Sequence, residues 1–218
     1  SINISGQVPS SLKKLKYERV SEAYGYLAGQ EFSLNLIKKE FPQFEPNIIK
    51  AQAAFNLTFG KSKELIKKYL VEYLGQNNYI LYENKLTLEM QELFSKQTFT
   101  EAIVTKFITE VENRANGNID SPVLETLLSF QYADNPEGEF LTGFTYIFKT
   151  KGHLKSKNTD WQIKVPKSWK AEEADRPNII QKFISDFGSG NSSIMLTVKD
   201  FPLSNEFKLS KSCQRGMI

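Results

Sequence analysis

Cysteine and histidine are nearly absent from this sequence. The 218 residues contain one cysteine, Cys213, and one histidine, His153. A single thiol excludes an internal disulfide and a metal site built from several thiolates. A single imidazole excludes metal sites with two or three histidine ligands, and it excludes a histidine pair for acid–base catalysis. We therefore expect neither a metal ion nor another cofactor.

Long apolar runs are also missing. No apolar segment approaches the roughly 20 residues that a membrane-spanning helix needs, so the sequence predicts no such span. Hydrophobic residues make up 40% and charged residues 24% of the chain, as in an ordinary globular protein. The chain begins at Ser1 rather than Met, which we interpret as removal of an N-terminal segment, either during export or in preparation. We expect a periplasmic or cell-surface location, with the cytoplasm as the alternative.

No group of residues in the sequence specifies a reaction. His153 follows a glycine in a lysine-rich connection, which is typical of an exposed loop. Several acidic residues share one region, but they lack the ordered spacing of a cation-binding loop, and the segment AEEAD is more simply a solvated turn. The sequence therefore assigns no catalytic, cofactor-binding or metal-binding residue. The acidic residues are Asp160, Glu172, Glu173, Asp175 and Asp186.

Apolar side chains recur at helical spacing through the first half of the chain. The pattern predicts short helices over residues 10–27, 32–40, 47–59 and 61–74, each followed by a glycine or a proline that ends it. No fixed period relates these helices, so we favour a non-repeating bundle over a degenerate repeat. The residues expected to end the helices are Gly29, Pro42, Gly60 and Gly75.

The next segment mixes weaker signals. Residues 79–82 suggest a short extended piece, and residues 86–94 a weaker helix. Thr98 and Glu101 have the spacing of a capping box at the start of a further helix. Ser121-Pro122 then marks the start of one more helix.

The pattern changes after residues 133–139, whose sequence ADNPEGE is typical of a linker. Beyond it the apolar period falls from 3.6 to 2, which predicts strands near residues 144–148, 161–165, 179–185 and 193–198. We therefore predict an α+β protein, with a helical bundle in residues 1–134 and a small antiparallel sheet in residues 135–218.

Two tryptophans flank the second predicted strand. Pro166 fixes the backbone where this strand ends. Trp169 is then expected to fold back over the apolar face of the strand and to close the end of the sheet. We assign a structural role to Trp161, Pro166 and Trp169.

The segment from residue 159 to residue 202 resembles the start of the PsbP family, the extrinsic photosystem proteins and their bacterial relatives. The likeness covers about 45 of the 218 residues. It implies an antiparallel sheet between helices, an α/β/α sandwich, but no photosynthetic role. The chain after the last strand is shorter than the family's domain requires, so the resemblance implies an incomplete or reduced version. The matching residues include Pro166, Trp169, Phe183, Asp186 and Phe187.

Positive charge is concentrated in the C-terminal part. Residues 149–218 carry 13 basic and 7 acidic side chains, whereas residues 1–148 carry 15 and 18. Such an excess can attract an anionic polymer or a lipid surface, but scattered lysines are more typical of a solvated surface. We do not expect nucleic acid to be the partner.

These observations favour a noncatalytic, exported protein that acts as a binding or scaffolding module in a bacterial envelope, with a protein or another envelope component as its partner. Exposed aromatic residues such as Tyr79 and Tyr82 are the expected contact residues. Two alternatives remain open. One is a hydrolase whose carboxylates come together on folding, which a cleft holding two acidic side chains from separate segments would favour. The other is binding of an anionic polymer or lipid through residues 149–218.

Overall fold

A computed structural model describes residues 10–199 of the chain, and the side chains of residues 14–199. Cys213 lies outside this range. The fold is α+β, with the helices first and the strands after them, as predicted. The helices are α1 (Ser10–Glu40), α2 (Glu45–Leu74), α3 (Gln76–Ser95), α4 (Glu101–Ala115), α5 (Val123–Gln131) and α6 (Gly138–Leu141). The strands are β1 (Thr145–Lys149), β2 (Gln162–Pro166), β3 (Lys170–Glu172), β4 (Ile179–Ile184) and β5 (Ser193–Thr197).

Two of the predicted helix ends are wrong. Gly29 lies inside α1 and Gly60 lies inside α2. A glycine inside a helix costs about 1 kcal/mol relative to alanine, but burial on both sides outweighs that cost. Leu34 and Ile37 continue the buried stripe of α1 beyond Gly29, and Ile66 continues that of α2 beyond Gly60. The predicted end at Gly75, which has a φ of 78°, is confirmed.

Two further local predictions need correction. Residues 79–82 are helical rather than extended, because they belong to α3 and turn the Tyr79 ring into the core. The N-cap of α4 is Thr100 rather than Thr98. Its Oγ1 accepts a hydrogen bond from the backbone N–H of Ile103 at 3.3 Å, which satisfies one of the free donors of the first turn.

Helix α2 is the centre of the helical part. It packs against α1, α3, α4 and α5, and its buried side chains recur along one stripe at helical spacing. Burial of this stripe against four neighbours removes its apolar surface from water, which stabilises the bundle. The buried residues of α2 are Ile48, Ala51, Phe55, Phe59, Ser62, Ile66 and Leu70.

The strands form two small antiparallel sheets. In one, β1 pairs with β2, with Tyr146 opposite Val165. In the other, β4 lies between β3 and β5, with Phe183 opposite both Ala171 and Ile194. Both sheets contribute to a second apolar cluster, separate from that of the helices, which includes Val165, Trp169, Ile180, Phe183, Leu196 and Val198. The division of the chain at residue 134 stays a prediction.

Candidate binding cleft

A concavity of about 600 Å³ lies where the helices meet the sheets. One wall comes from α1, α5 and the loop between α4 and α5. The rest of the lining comes from β1, from the turn between β2 and β3 with the start of β3, and from the turn after β4. We call this concavity the junction cleft. It is lined by Leu15, Arg19, Ile119, Glu125, Tyr146 and residues 167–171, among others.

Apolar side chains of the junction cleft remain accessible to solvent. Leu15 is 41% exposed and Tyr146 is 37% exposed. The Tyr146 ring packs edge-on against Phe183, with 6.4 Å between the ring centroids. Burial raises the pKa of Tyr146, and the charge of Glu125 adds to this effect, so the phenol stays neutral at physiological pH. The apolar lining continues with Ile119, Leu124 and Phe187.

Cationic side chains outnumber carboxylates in the junction cleft. Nη1 of Arg19 lies 3.4 Å from Oε2 of Glu125, and the hydroxyl of Ser121 donates to Oε1 of Glu125 at 2.6 Å. Glu125 is therefore already engaged by two neighbours. Lys167 and Lys170 also line the cleft. Lys170 has no ion-pair partner in the part of the chain that the structure describes, whereas the charge of Lys167 acts on the buried carboxylate of Glu139, where it opposes the effect of burial on the pKa. The two lysines leave an excess of positive charge in the cleft.

A buried carboxylate behind the cleft wall holds the turn that carries both lysines. Glu139, on α6, is 0% exposed. Its Oε1 accepts a hydrogen bond from the backbone N–H of Ser168 at 3.0 Å, and its Oε2 accepts one from the Ser168 hydroxyl at 2.6 Å. Burial raises the pKa of Glu139, although the bonds from Ser168 oppose that change. The position of the β2–β3 turn thus depends on one side chain of α6.

The three residues with a predicted structural role take different positions around this turn. Pro166 is the last residue of β2, and its carbonyl accepts a hydrogen bond from the N–H of Trp169 at 3.3 Å. Trp169 is 5% exposed, and its ring packs edge-on against Phe140 at 6.0 Å. Among the described residues, the Trp169 Nε1 has no hydrogen-bond partner. Trp161 is 39% exposed and does not line the junction cleft.

A lysine of α1 joins the helices to the turn after β4. The ammonium of Lys16 lies 2.7 Å from Oδ1 of Asp186. It also lies 5.2 Å from the ring centroid of Phe187, 5.6 Å from that of Tyr69 and 5.8 Å from that of Phe130. We call these five residues the Lys16 clamp. Asp186 and Phe187 have left-handed backbones, with φ of 44° and 57°, which L-residues adopt only at a cost.

The Lys16 clamp also borders a second concavity of about 550 Å³, which we call the polar cavity. Its lining includes three carboxylates from two separate segments, Asp134, Glu137 and Asp186. Asp134 pairs with Lys61 at 2.6 Å, and that hydrogen bond and charge lower the pKa of Asp134. A hydrogen bond from Ser192 lowers the pKa of Glu137.

The polar cavity meets the condition set for the hydrolase alternative, because acidic side chains from separate segments share one cleft. A general acid, however, must hold its proton near the working pH. The lowered pKa values of Asp134 and Glu137 work against that role. Within residues 14–199, no three His, Cys, Asp or Glu side chains are grouped to hold a metal ion.

The predicted contact residues lie elsewhere, between α1 and α3. The expectation that Tyr79 is exposed is wrong, because Tyr79 is only 2% exposed. Its hydroxyl lies 2.6 Å from that of Tyr24, and both hydroxyls donate to Oε1 of Glu83 at 2.7 Å. Tyr82 is half-buried, and its hydroxyl donates to the carbonyl of Ser21 at 3.3 Å. Hydrogen bonding within the bundle accounts for both tyrosines.

His153 and Asp160 lie in the loop between β1 and β2. Both line a concavity of about 560 Å³ that this loop forms by itself. Nδ1 of His153 accepts a hydrogen bond from the N–H of Lys155 at 3.2 Å, which caps a short 3-10 turn. The structure therefore gives His153 a local structural contact, and it places neither residue in the junction cleft.

No protein-family model matches the chain, and neither a curated protein nor a solved structure matches it. The likeness to the PsbP family therefore stays a prediction. In the portion described, none of the helices combines the length and apolar character that crossing a membrane requires.

Sequence reasoning did not predict the junction cleft, although it named two residues that line it, Trp169 and Phe187. Leu15 and Arg19 are separated from Lys167 and Lys170 by about 150 positions in the chain, so no local pattern connects them. One signal was available: lysines stand two residues before and one residue after Trp169, a residue already expected to be buried. Because Trp169 is buried in the apolar cluster, the charged lysine side chains on either side of it must point away from the cluster and towards an adjoining surface.

Proposed function

We propose that this protein is a noncatalytic binding module that holds its ligand in the junction cleft. One observation carries the proposal: a cleft built jointly by the helices and the sheets keeps apolar side chains accessible to solvent beside two lysines. Ligand sites are typically concave and mostly apolar, with a few placed polar groups, and have volumes of about 300–1,000 Å³. The placement of the protein in a bacterial envelope rests on the sequence alone.

A cleft-filling variant tests the proposal. Ala171 is exposed and lines the junction cleft, so Ala171→Trp fills part of the space. Ala102→Trp is the matched control, because Ala102 is an exposed residue near the start of α4, whereas the cleft lies beyond the end of that helix. A fragment collection is screened against each protein by ligand-observed NMR.

We expect a group of fragments that bind the wild-type protein and the Ala102→Trp variant but not the Ala171→Trp variant. Fragments that bind all three proteins equally would place the site elsewhere, and a screen without binders would overturn the proposal. Turnover of any substrate that is lost in Asp160→Ala or His153→Ala would contradict the noncatalytic assignment. Turnover lost in Asp134→Asn would favour the hydrolase alternative at the polar cavity.

The alternative of binding an anionic polymer or lipid through residues 149–218 can be tested by its salt dependence. Binding of an anionic polymer or lipid surface through scattered lysines depends on the summed field, so the affinity would fall steeply as salt is added. Binding to vesicles that contain anionic lipid, measured at several salt concentrations, separates this alternative from the cleft. Ala171→Trp leaves such binding unchanged, because the substitution alters no charge.

A further inference from the structure

We propose that the ligand of the junction cleft is an amphipathic anion: a molecule with an apolar chain or ring and one anionic head, such as a carboxylate, a sulfonate or a phosphate. This inference rests on the proposed function and names the chemical class of its ligand. It follows from the lining of the cleft, which combines exposed apolar side chains with two lysines.

The apolar side chains of the cleft fit a chain or a ring. Leu15 comes from α1 and Tyr146 from β1, and both remain partly exposed. Large apolar side chains that stay accessible within a concavity favour an apolar ligand, because its binding removes their surface from water. The neutral phenol of Tyr146 adds no charge to this region.

The two lysines of the cleft fit an anionic head. Lys167 and Lys170 stand on either side of the buried Trp169, and the bonds between Glu139 and Ser168 hold the turn between them. Each ammonium group has three donors, and Lys170 has no ion-pair partner among the described residues. The charge of Lys167 also acts on the buried Glu139, which offsets part of its positive charge. An anion bound between them gains charge-assisted hydrogen bonds, about twice as strong as bonds between neutral groups.

The carboxylates in and behind the cleft already have hydrogen-bond partners, and Glu139, behind it, accepts both hydrogen bonds of Ser168. Glu125 is the one carboxylate among the residues that line the junction cleft, and Arg19 and Ser121 already engage it. The polar cavity on the other side of the Lys16 clamp differs, since three carboxylates and one lysine line it. An anionic head is therefore expected to select the junction cleft over the polar cavity.

The test uses three ligands that share one alkyl chain and differ in head charge: decanoate, decan-1-ol and decyltrimethylammonium, each below its critical micelle concentration. Dissociation constants with the full chain are measured by titration calorimetry or NMR at neutral pH. We expect decanoate to bind about tenfold more tightly than decan-1-ol, and decyltrimethylammonium to bind more weakly than either. Added salt lowers the affinity for decanoate and leaves that for decan-1-ol unchanged.

Charge-removing variants locate the anionic head. Lys167→Gln with Lys170→Gln removes both lysine charges of the cleft and leaves only Arg19, which pairs with Glu125; the affinity for decanoate should fall about tenfold, to that for decan-1-ol. Lys149→Gln with Lys164→Gln is the matched control, because both residues are exposed on the β1–β2 hairpin and lie outside the cleft. This control removes the same net charge and should leave all three affinities unchanged. Tyr146→Ala should weaken the binding of decanoate and decan-1-ol alike.

The possible failures can be told apart. Equal affinities for decanoate and decan-1-ol in the wild-type protein would overturn the anionic class and leave the cleft as a binding site. The same conclusion follows if none of the three ligands binds but fragments still bind the wild-type protein and not the Ala171→Trp variant. An equal loss of decanoate affinity in the two lysine pairs would show that net charge, not the cleft, attracts the anion, and would overturn the inference. If neither the alkyl ligands nor any fragment binds in the junction cleft, the proposed function itself is overturned.

Discussion

Both carboxylate oxygens of Glu139 accept hydrogen bonds from Ser168, one from the backbone N–H at 3.0 Å and one from the hydroxyl at 2.6 Å. This pair joins α6 to the turn that leads from β2 into β3. Since the same turn carries Lys167, Trp169 and Lys170, the shape of the junction cleft depends on a carboxylate that no ligand can reach.

Glu139→Ala should lower the free energy of unfolding by about 2–4 kcal/mol, because it leaves the Ser168 donors without their acceptor and opens a cavity. Chemical denaturation monitored by tryptophan fluorescence measures the change. Glu173→Ala, at an exposed carboxylate just after β3, is the control and should change stability little. A loss for Glu139→Ala no larger than that of the control would contradict the structural role.

The pH dependence of the same variant follows from the raised pKa of Glu139. Below its ordinary pKa of 4.5, Glu139 is protonated in both the folded and the unfolded chain. As the pH rises from 4.5 through the raised pKa, the unfolded chain loses this proton before the folded protein does, so the contribution of Glu139 to stability declines. The deficit of Glu139→Ala relative to wild type should therefore be largest in acid and shrink as the pH rises through that range.

The Lys16 clamp predicts energetic coupling between α1 and the turn after β4. A double-mutant cycle with Lys16→Met and Asp186→Asn measures this coupling. Met keeps the aliphatic length of the lysine, and Asn tolerates the left-handed backbone at residue 186. We expect a coupling energy of about 0.5–1 kcal/mol, because the pair is only partly buried. The coupling should decrease at high salt, and additive effects of the two substitutions would exclude the predicted link.

Two glycines with left-handed backbones form a matched pair. Gly117 has a φ of 83° and Gly143 a φ of 81°. A Cβ at Gly117 would lie 2.4 Å from Cε1 of Phe144, whereas a Cβ at Gly143 meets no atom within 4 Å. Both alanine variants incur the left-handed strain of about 1–2 kcal/mol, but only Gly117→Ala also displaces the Phe144 ring, at a further cost of about 1–3 kcal/mol. Equal melting temperatures for the two variants would contradict the close contact.

The tyrosine pair on Glu83 predicts a second pH effect, of opposite sign. Desolvation disfavours the ionised Glu83, but hydrogen bonds from Tyr79 and Tyr24 and the charge of Lys67 outweigh it and lower the pKa of Glu83. A lowered folded-state pKa contributes stability above the ordinary value of 4.5, and this stability is lost as the pH falls through the folded-state pKa.

Replacing Tyr24 and Tyr79 together by phenylalanine removes both hydroxyl donors to Glu83. We expect a loss of about 1–3 kcal/mol at neutral pH, and the difference from wild type should shrink in acid. Tyr73→Phe is the control, since Tyr73 is 47% exposed and keeps its ring contacts without its hydroxyl. A deficit that stays constant from neutral pH to acid would show that the hydroxyls do not act through the ionised Glu83.

The same residues predict when the tyrosines ionise at alkaline pH. Burial, the largest effect, together with the bond to Glu83 raises the pKa of Tyr79 to about 12, and burial also raises the pKa of Tyr24. In a spectrophotometric titration, Tyr79 and Tyr24 should therefore ionise later than the exposed tyrosines. Two fewer tyrosines ionising late in the Tyr24→Phe, Tyr79→Phe protein would confirm the assignment.

The sequence alone determined that the first part of this protein is helical and the second part is built mainly from strands. Apolar spacing of 3.6 and then of 2 predicted helices followed by strands, because each period places one apolar face against a core whatever that core is. The end of α2 at Gly75 and the strand that ends at Pro166 were also predictable, since they depend on the backbone of a few adjacent residues.

Only the tertiary structure decided how far the helices extend and where a ligand could bind. Gly29 and Gly60 resemble helix ends locally, but buried side chains on both sides, Leu34 and Ile66 among them, keep α1 and α2 continuous. The junction cleft combines Leu15 and Arg19 with Lys170, residues far apart in the chain. Helical and strand patterns show which side of each element is apolar, but not which elements pack against each other. The junction cleft depends on that packing, so the sequence could not predict it.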